Sequence, residues 1–97
     1  MLTVIETAAF STWLTALKDV RGRAKIAARI ERIRLVGHFG DSAGVGEGVS
    51  ELRVHFGPGY RVYFCRRGAE IVLLLGGGDK GSQTRDIRAA QALAKES

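Results

Sequence analysis

The sequence predicts a single α+β domain, a small antiparallel sheet with two N-terminal helices packed on one face and a C-terminal helix, and three observations carry that prediction. Two neighbouring runs alternate strictly, with Leu52, Val54 and Phe56 set against Glu51, Arg53 and His55, then Tyr60, Val62 and Phe64 against Arg61, Tyr63 and Cys65. A period of two is the pattern of half-buried strands. Helical spacing occurs outside this region, before it and after it, and such segregation marks an α+β domain rather than alternating βαβ units. The third observation is length, since 97 residues bury one modest core and no more.

Taken in order, residues 2–5 read as a short first strand through their β-branched content. Thr7 is placed to cap a helix in which Phe10, Trp13, Leu14 and Leu17 fall on one apolar face. At that spacing the two aromatic rings read as core rather than as a stacking platform for nucleic acid. Residues 19–22 read as a break, and a second helix follows over residues 23–35, with Ile26, Ile30 and Ile33 on one side and Gly37 as its C-terminal cap. Residues 38–48 are rich in glycine and poor in apolar residues, so they read as an irregular connection or a frayed strand. After the sheet, Ser82 or Thr84 is placed to cap a last helix with Ile87, Ala90, Leu93 and Ala94 along its apolar stripe. The order is β-α-α-(β)-β-β-β-α, with the helices expected on one face of the meander.

Cross-strand partners must share a face, so register follows from loop length. A three-residue loop at Gly57-Pro58-Gly59 pairs Phe56 with Tyr60, Val54 with Val62 and Leu52 with Phe64. It sets His55 opposite Arg61 and Arg53 opposite Tyr63. A two-residue turn at Gly68-Ala69 then leads into residues 71–75, apolar on both faces, and lays Arg61 beside Gly76, with Lys80 close behind. The expected result is a basic patch of Arg53, His55, Arg61 and Lys80.

The composition is 45% hydrophobic and 26% charged, that of a folded domain, with a formal net charge of +5. The sequence pI near 10 points to an anionic partner. Lys18, Arg21, Arg23, Lys25, Arg29, Arg32 and Arg34 stand against only Asp19 and Glu31, which accounts for the whole excess. This run reads either as a solvated face or as a surface for RNA or an acidic segment. Residues 1–5 do not make a signal peptide, and no apolar run reaches membrane-spanning length, so a cytoplasmic location without membrane attachment is expected. The single cysteine, Cys65, excludes an internal disulfide and reads as a small buried strand residue. Neither glycine-rich stretch has the spacing of a phosphate-cradling loop, and no metal-ligand spacing is present, so no cofactor and no metal are expected.

Two arginines, a histidine and a lysine on one face suit a reaction in which negative charge builds on phosphate. RNA carries its own nucleophile in the 2′-hydroxyl, and positioning it in line with the adjacent phosphorus does much of the catalytic work. Arginine stays protonated and is a poor proton acceptor, which leaves His55 or a deprotonated Lys80, with assistance from Tyr60 or Tyr63. The competing reading is that Arg53 and Arg61 pair with Glu51, Glu47 or Asp79 across a solvated sheet face.

The segments GEGVSELRVHFGPGYRVYF and LLLGGGDKGSQTRDI, together with the helical region FxxWLxxLKDxRGRAKIAARI, resemble the RelE/HigB-like toxins of type II toxin-antitoxin modules, in the branch labelled addiction-module killer proteins. Members of that branch often carry a Val-Lys pair where this chain has Ser42-Ala43. The resemblance implies a RelE-like fold and a ribosome-dependent mRNA endoribonuclease working without a metal. By position it makes Arg53, Arg61 and Lys80 catalytic; His55 joins them from the sheet register as a candidate catalytic residue, and Arg23, Lys25, Tyr60 and Tyr63 are the candidate RNA-binding residues. It implies a cognate antitoxin, often a helix-turn-helix DNA-binding protein, besides mRNA and the ribosome as partners. The alternatives are a non-catalytic basic module that binds RNA or protein, and an inactive relative that only binds its antitoxin.

Overall fold

The computed structural model describes residues 1–96. Its elements are β1 (Thr3–Glu6), α1 (Ala8–Ala16), α2 (Val20–Val36), β2 (Ser42–Gly46), β3 (Val49–Val54), β4 (Tyr60–Arg67), β5 (Ile71–Asp79), a 3-10 turn (Lys80–Ser82) and α3 (Gln83–Glu96). The five strands lie in the order β1-β5-β4-β3-β2. Neighbours pair antiparallel except β1, which runs parallel to β5 at one edge. The domain is α+β, as the sequence predicts.

Thr7 caps α1 by accepting from the Phe10 N–H, and its own hydroxyl donates to the Leu74 carbonyl at 2.7 Å. The helix is thereby pinned to the sheet at its first turn. The break between helices is shorter than expected, because α2 begins at Val20 with Asp19 as its cap. Gly22 reads in sequence as a helix breaker. In the fold it is a close-approach position inside α2, where a Cβ would come within 2.6 Å of the Tyr60 ring. Gly37 ends α2 in the left-handed conformation at φ 67°, as expected of a C-terminal cap.

Two cores flank the sheet. Phe10, Ile26 and Ile33 pack with Leu52, Val54, Tyr60, Val62, Phe64, Val72 and Leu74 on the face covered by α1 and α2. Val49, Tyr63, Cys65 and Leu75 pack with Ala90 and Ala94 of α3 on the other. The expectation that all helices share one face is therefore corrected. The strand faces explain why: Tyr63, Cys65, Leu73 and Leu75 make an apolar second face that only another layer can bury. Cys65 is buried there as a free thiol.

The expected hairpin register is also corrected. Leu52 pairs with Val62, Arg53 with Arg61 and Val54 with Tyr60, so the loop spans five residues rather than three. The shift is two residues, which preserves every side chain's face and is invisible to a test based on alternation. Within the loop a turn closes from the Phe56 carbonyl to the Gly59 N–H at 3.0 Å, with Gly57 and Gly59 at φ 56° and 83°. The next connection has three residues, not two, since Arg67 pairs with Ile71. A bulge then places Leu75 as an extra residue on β5, so that Arg61 lies beside Gly78 and Tyr63 beside Gly76.

Residues 42–46 form a true edge strand, and the glycines around them serve its hairpin. Glu47 and Gly48 take φ 59° and 76° between the paired Gly46 and Val49, the geometry of a primed two-residue turn. Among the described residues, no helix is long and apolar enough to cross a membrane.

Candidate active site

Alternation on β3 sends Glu51, Arg53 and the following His55 to the α3 side of the sheet, and β4 adds Arg61 directly opposite Arg53. Like charges placed opposite one another in a ladder repel. Here a carboxylate lies between them: Glu51 Oε2 is 3.0 Å from Arg53 Nε and 3.9 Å from Arg61 Nε. Its other oxygen accepts from Gln83 Nε2 at 2.8 Å, at the start of α3. Glu51 is only 2% exposed, so its charge is held by these partners rather than by water.

The two arginines differ in access. Arg53 keeps a third of its side chain exposed and has its pKa raised, first by the hydrogen bond to Glu51. Arg61 is 7% exposed. Its Nη1 donates to the Tyr60 carbonyl at 3.3 Å, while its Nε has no hydrogen-bond partner among the described residues. The Glu51 oxygen at 3.9 Å neutralises the guanidinium without bonding to that donor.

Asp41 joins this cluster from the segment before β2. One carboxylate oxygen lies 3.3 Å from Arg53 Nη1 and the other takes the hydrogen bond from His55 Nε2. Its carboxyl is held below the usual range, chiefly by the His55 bond. Arg29 of α2 fixes the segment by donating to the Phe39 carbonyl at 2.9 Å and the Arg53 carbonyl at 2.6 Å. The Arg53 N–H closes the arrangement on the Asp41 carbonyl at 2.9 Å. The His55 side chain is two-thirds exposed.

Lys80 opens the 3-10 turn at the end of β5 and runs its stem past the β3–β4 loop, where a Cβ on Gly59 would approach Lys80 Cε to 3.0 Å. Tyr60, expected to contact RNA, points into the α1/α2 core, where its hydroxyl donates to Asp19 at 2.7 Å and its pKa is pushed up to about 12, first by that bond. Tyr63, also expected to contact RNA, is wholly buried under α3; burial pushes it up to about 12. Neither offers a free ring face to a base. Arg23 and Lys25 lie on α2, in the layer across the sheet from Arg61, and are not gathered with Arg53, Arg61 and His55.

The sequence names Glu51 only as a possible pairing partner, and that pairing forms. Glu47 instead meets Lys95, and Asp79 caps the turn at Gly81. Asp41 and Gln83 carry no signal in the sequence. They reach the site through a carbonyl clamp and a helix start, 12 and 32 residues from their partners Arg53 and Glu51.

No protein-family model matches the sequence. Over 90 residues, 93% of the chain, it is 48% identical to an uncharacterized protein of Haemophilus influenzae, and the match covers 90% of that protein. Identity at that level over nearly both full lengths places the chain in one family with the Haemophilus influenzae protein, to which it belongs.

Proposed function

We propose that this protein is a toxin of a type II toxin-antitoxin module, a RelE/HigB-like endoribonuclease that cuts ribosome-bound mRNA without a metal ion. The observation that carries this reading is the pair Arg53 and Arg61, adjacent in the ladder, braced by a buried carboxylate and flanked by an exposed histidine oriented by Asp41. Preset cations of this kind stabilise charge on a phosphate without reorganising during the reaction.

In this reading the arginines hold the non-bridging phosphate oxygens. His55, with Nε2–H on Asp41, accepts the 2′-hydroxyl proton at its other nitrogen. The O2′–P bond forms as the P–O5′ bond breaks, and the departing O5′ takes a proton from the Lys80 ammonium or from water. The products are a 2′,3′-cyclic phosphate and a 5′-hydroxyl. A cognate antitoxin, encoded beside it and carrying a helix-turn-helix DNA-binding domain, holds the toxin inactive.

Induced expression without the neighbouring gene tests this directly. Growth arrest with mRNA fragments bearing 2′,3′-cyclic phosphate ends is expected, and Arg61→Ala is expected to relieve both. Salt-sensitive RNA binding without cleavage, even on translating ribosomes, would reduce the protein to a basic binding module.

A further inference from the structure

The outer surface of α2 carries two grooves separated by Ala24. One, of about 400 Å³, is lined by Arg21, Ala24, Lys25, Ala28 and Phe56. The other, of about 380 Å³, is lined by Leu14, Thr15, Val20, Arg23, Ala24 and Ala27. Between them Ala24, Ala27 and Ala28 form a low ridge, and Val20 stands 66% exposed at its head. Small side chains at such a contact let a second helix approach to about 8–10 Å between axes.

The charge around these grooves is left over after the fold has used what it needs. Asp19 is engaged by the Gly22 N–H and the Tyr60 hydroxyl, and Glu31 by Arg34. Arg29 is spent on backbone carbonyls. Among the described residues, Arg21, Arg23, Lys25 and Arg32 form no salt bridge. The Nε of Arg23 is buried without a hydrogen-bond partner beside the second groove.

We propose that this face docks an acidic amphipathic helix of the inhibitory partner, its apolar stripe on the alanine ridge and its carboxylates on Arg21 and Lys25 to one side and Arg23 to the other. The proposal rests on the toxin reading above for the partner's role. Charge complementarity fixes the sign of the occupant, and the apolar lining fixes its class. RNA shares the charge, but the alanine ridge between the basic side chains gives a phosphate no donor, and the one aromatic ring here, Phe56, lies under the Lys25 ammonium at 5.6 Å rather than open to a base. A partner seated here lies in the layer across the sheet from Arg61 and rests against Phe56, the neighbour of His55 in the chain.

The probe is the product of the adjacent reading frame, purified separately and titrated against the full chain. Ala24→Glu with Ala28→Glu keeps good helix formers at exposed positions while filling the ridge with bulk of the wrong charge. The double variant is expected to unfold at the wild-type denaturant midpoint and to arrest growth as before. It is expected to bind the probe at least tenfold more weakly and to escape relief on co-expression, and wild-type binding is expected to weaken with salt. Wild-type affinity in the double variant, affinity indifferent to salt, or no binding of the probe to the wild-type chain would overturn the proposal. So would retained probe binding with loss of binding to a single-stranded RNA oligonucleotide, which would assign the face to RNA. Failure of the toxin reading shows separately, as wild-type expression without arrest.

Discussion

Arg53 and Arg61 face one another across the β3–β4 ladder and share one oxygen of Glu51, 3.0 Å from the first guanidinium and 3.9 Å from the second. Two cations that would repel are held side by side by a carboxylate that solvent scarcely reaches. The arrangement makes Glu51 the brace of the site rather than a reacting group. Glu51→Gln keeps the shape and removes the charge, leaving Arg61 buried and unneutralised. Urea unfolding should show a loss of about 3 kcal/mol, the range for breaking one side of a buried pair. Cleavage should fall with it at temperatures where the variant remains folded.

The Asp41–His55 pair predicts a division of labour. His55→Ala should lower single-turnover cleavage by roughly 100-fold, the usual worth of a positioned proton acceptor. Added imidazole should restore part of that rate, and should do nothing for Arg61→Ala. Asp41→Asn should cost less, about tenfold, because the ring keeps its acceptor nitrogen and loses only its orientation. Absence of imidazole rescue would remove His55 from the proton-transfer role.

The two tyrosines should respond oppositely to loss of a hydroxyl. Tyr60→Phe removes the 2.7 Å bond to Asp19 and should destabilise by about 1 kcal/mol. Tyr63→Phe removes a buried hydroxyl with no partner among the described residues and should be neutral or slightly stabilising. Asp19 adds a pH signature. Its carboxyl is held below the usual range, first by the Gly22 N–H and then by Tyr60, so the stabilisation is present above its unfolded value and lost as pH falls through the folded one. The stability gap between wild type and Asp19→Asn, read by chemical denaturation, should therefore persist at neutral pH and close below about pH 4.

The three glycines at the end of β5 are not equivalent. A Cβ on Gly77 would lie 2.4 Å from the Trp13 ring, whereas one on Gly76 meets nothing within 4 Å. Gly77→Ala should cost about 1–3 kcal/mol through displacement of Trp13, and Gly76→Ala should leave thermal unfolding nearly unchanged. Gly78→Ala drives into Asp86 at 1.9 Å and should disturb the start of α3 beside Gln83.

Much of the fold was legible because period is a local property. Alternation at residues 51–56 and 60–65 and the 3.6-residue spacing in the N-terminal helices identify which residues face the α1/α2 core without reference to partners. Thr7 and Gly37 announce helix ends by their own backbone and side-chain chemistry. Even the membership of Arg53, His55 and Arg61 in one sheet face followed from parity.

Distances along the strands were not legible, because a two-residue slip leaves parity intact. Only packing chose the five-residue loop, the bulge at Leu75 and hence Arg53 opposite Arg61 and Gly78 beside it. The second layer belongs to the tertiary structure as well: α3 closes over Tyr63 and brings Gln83 to Glu51, and Arg29 carries Asp41 to His55. Sequence by itself determined the α+β elements, their inward faces and the cationic character of the patch, since these depend on residue type and near-neighbour spacing. Which charges neutralise one another, which tyrosines are hidden and which histidine is oriented were decided only when residues far apart in the chain met, because those properties belong to contacts rather than to residues.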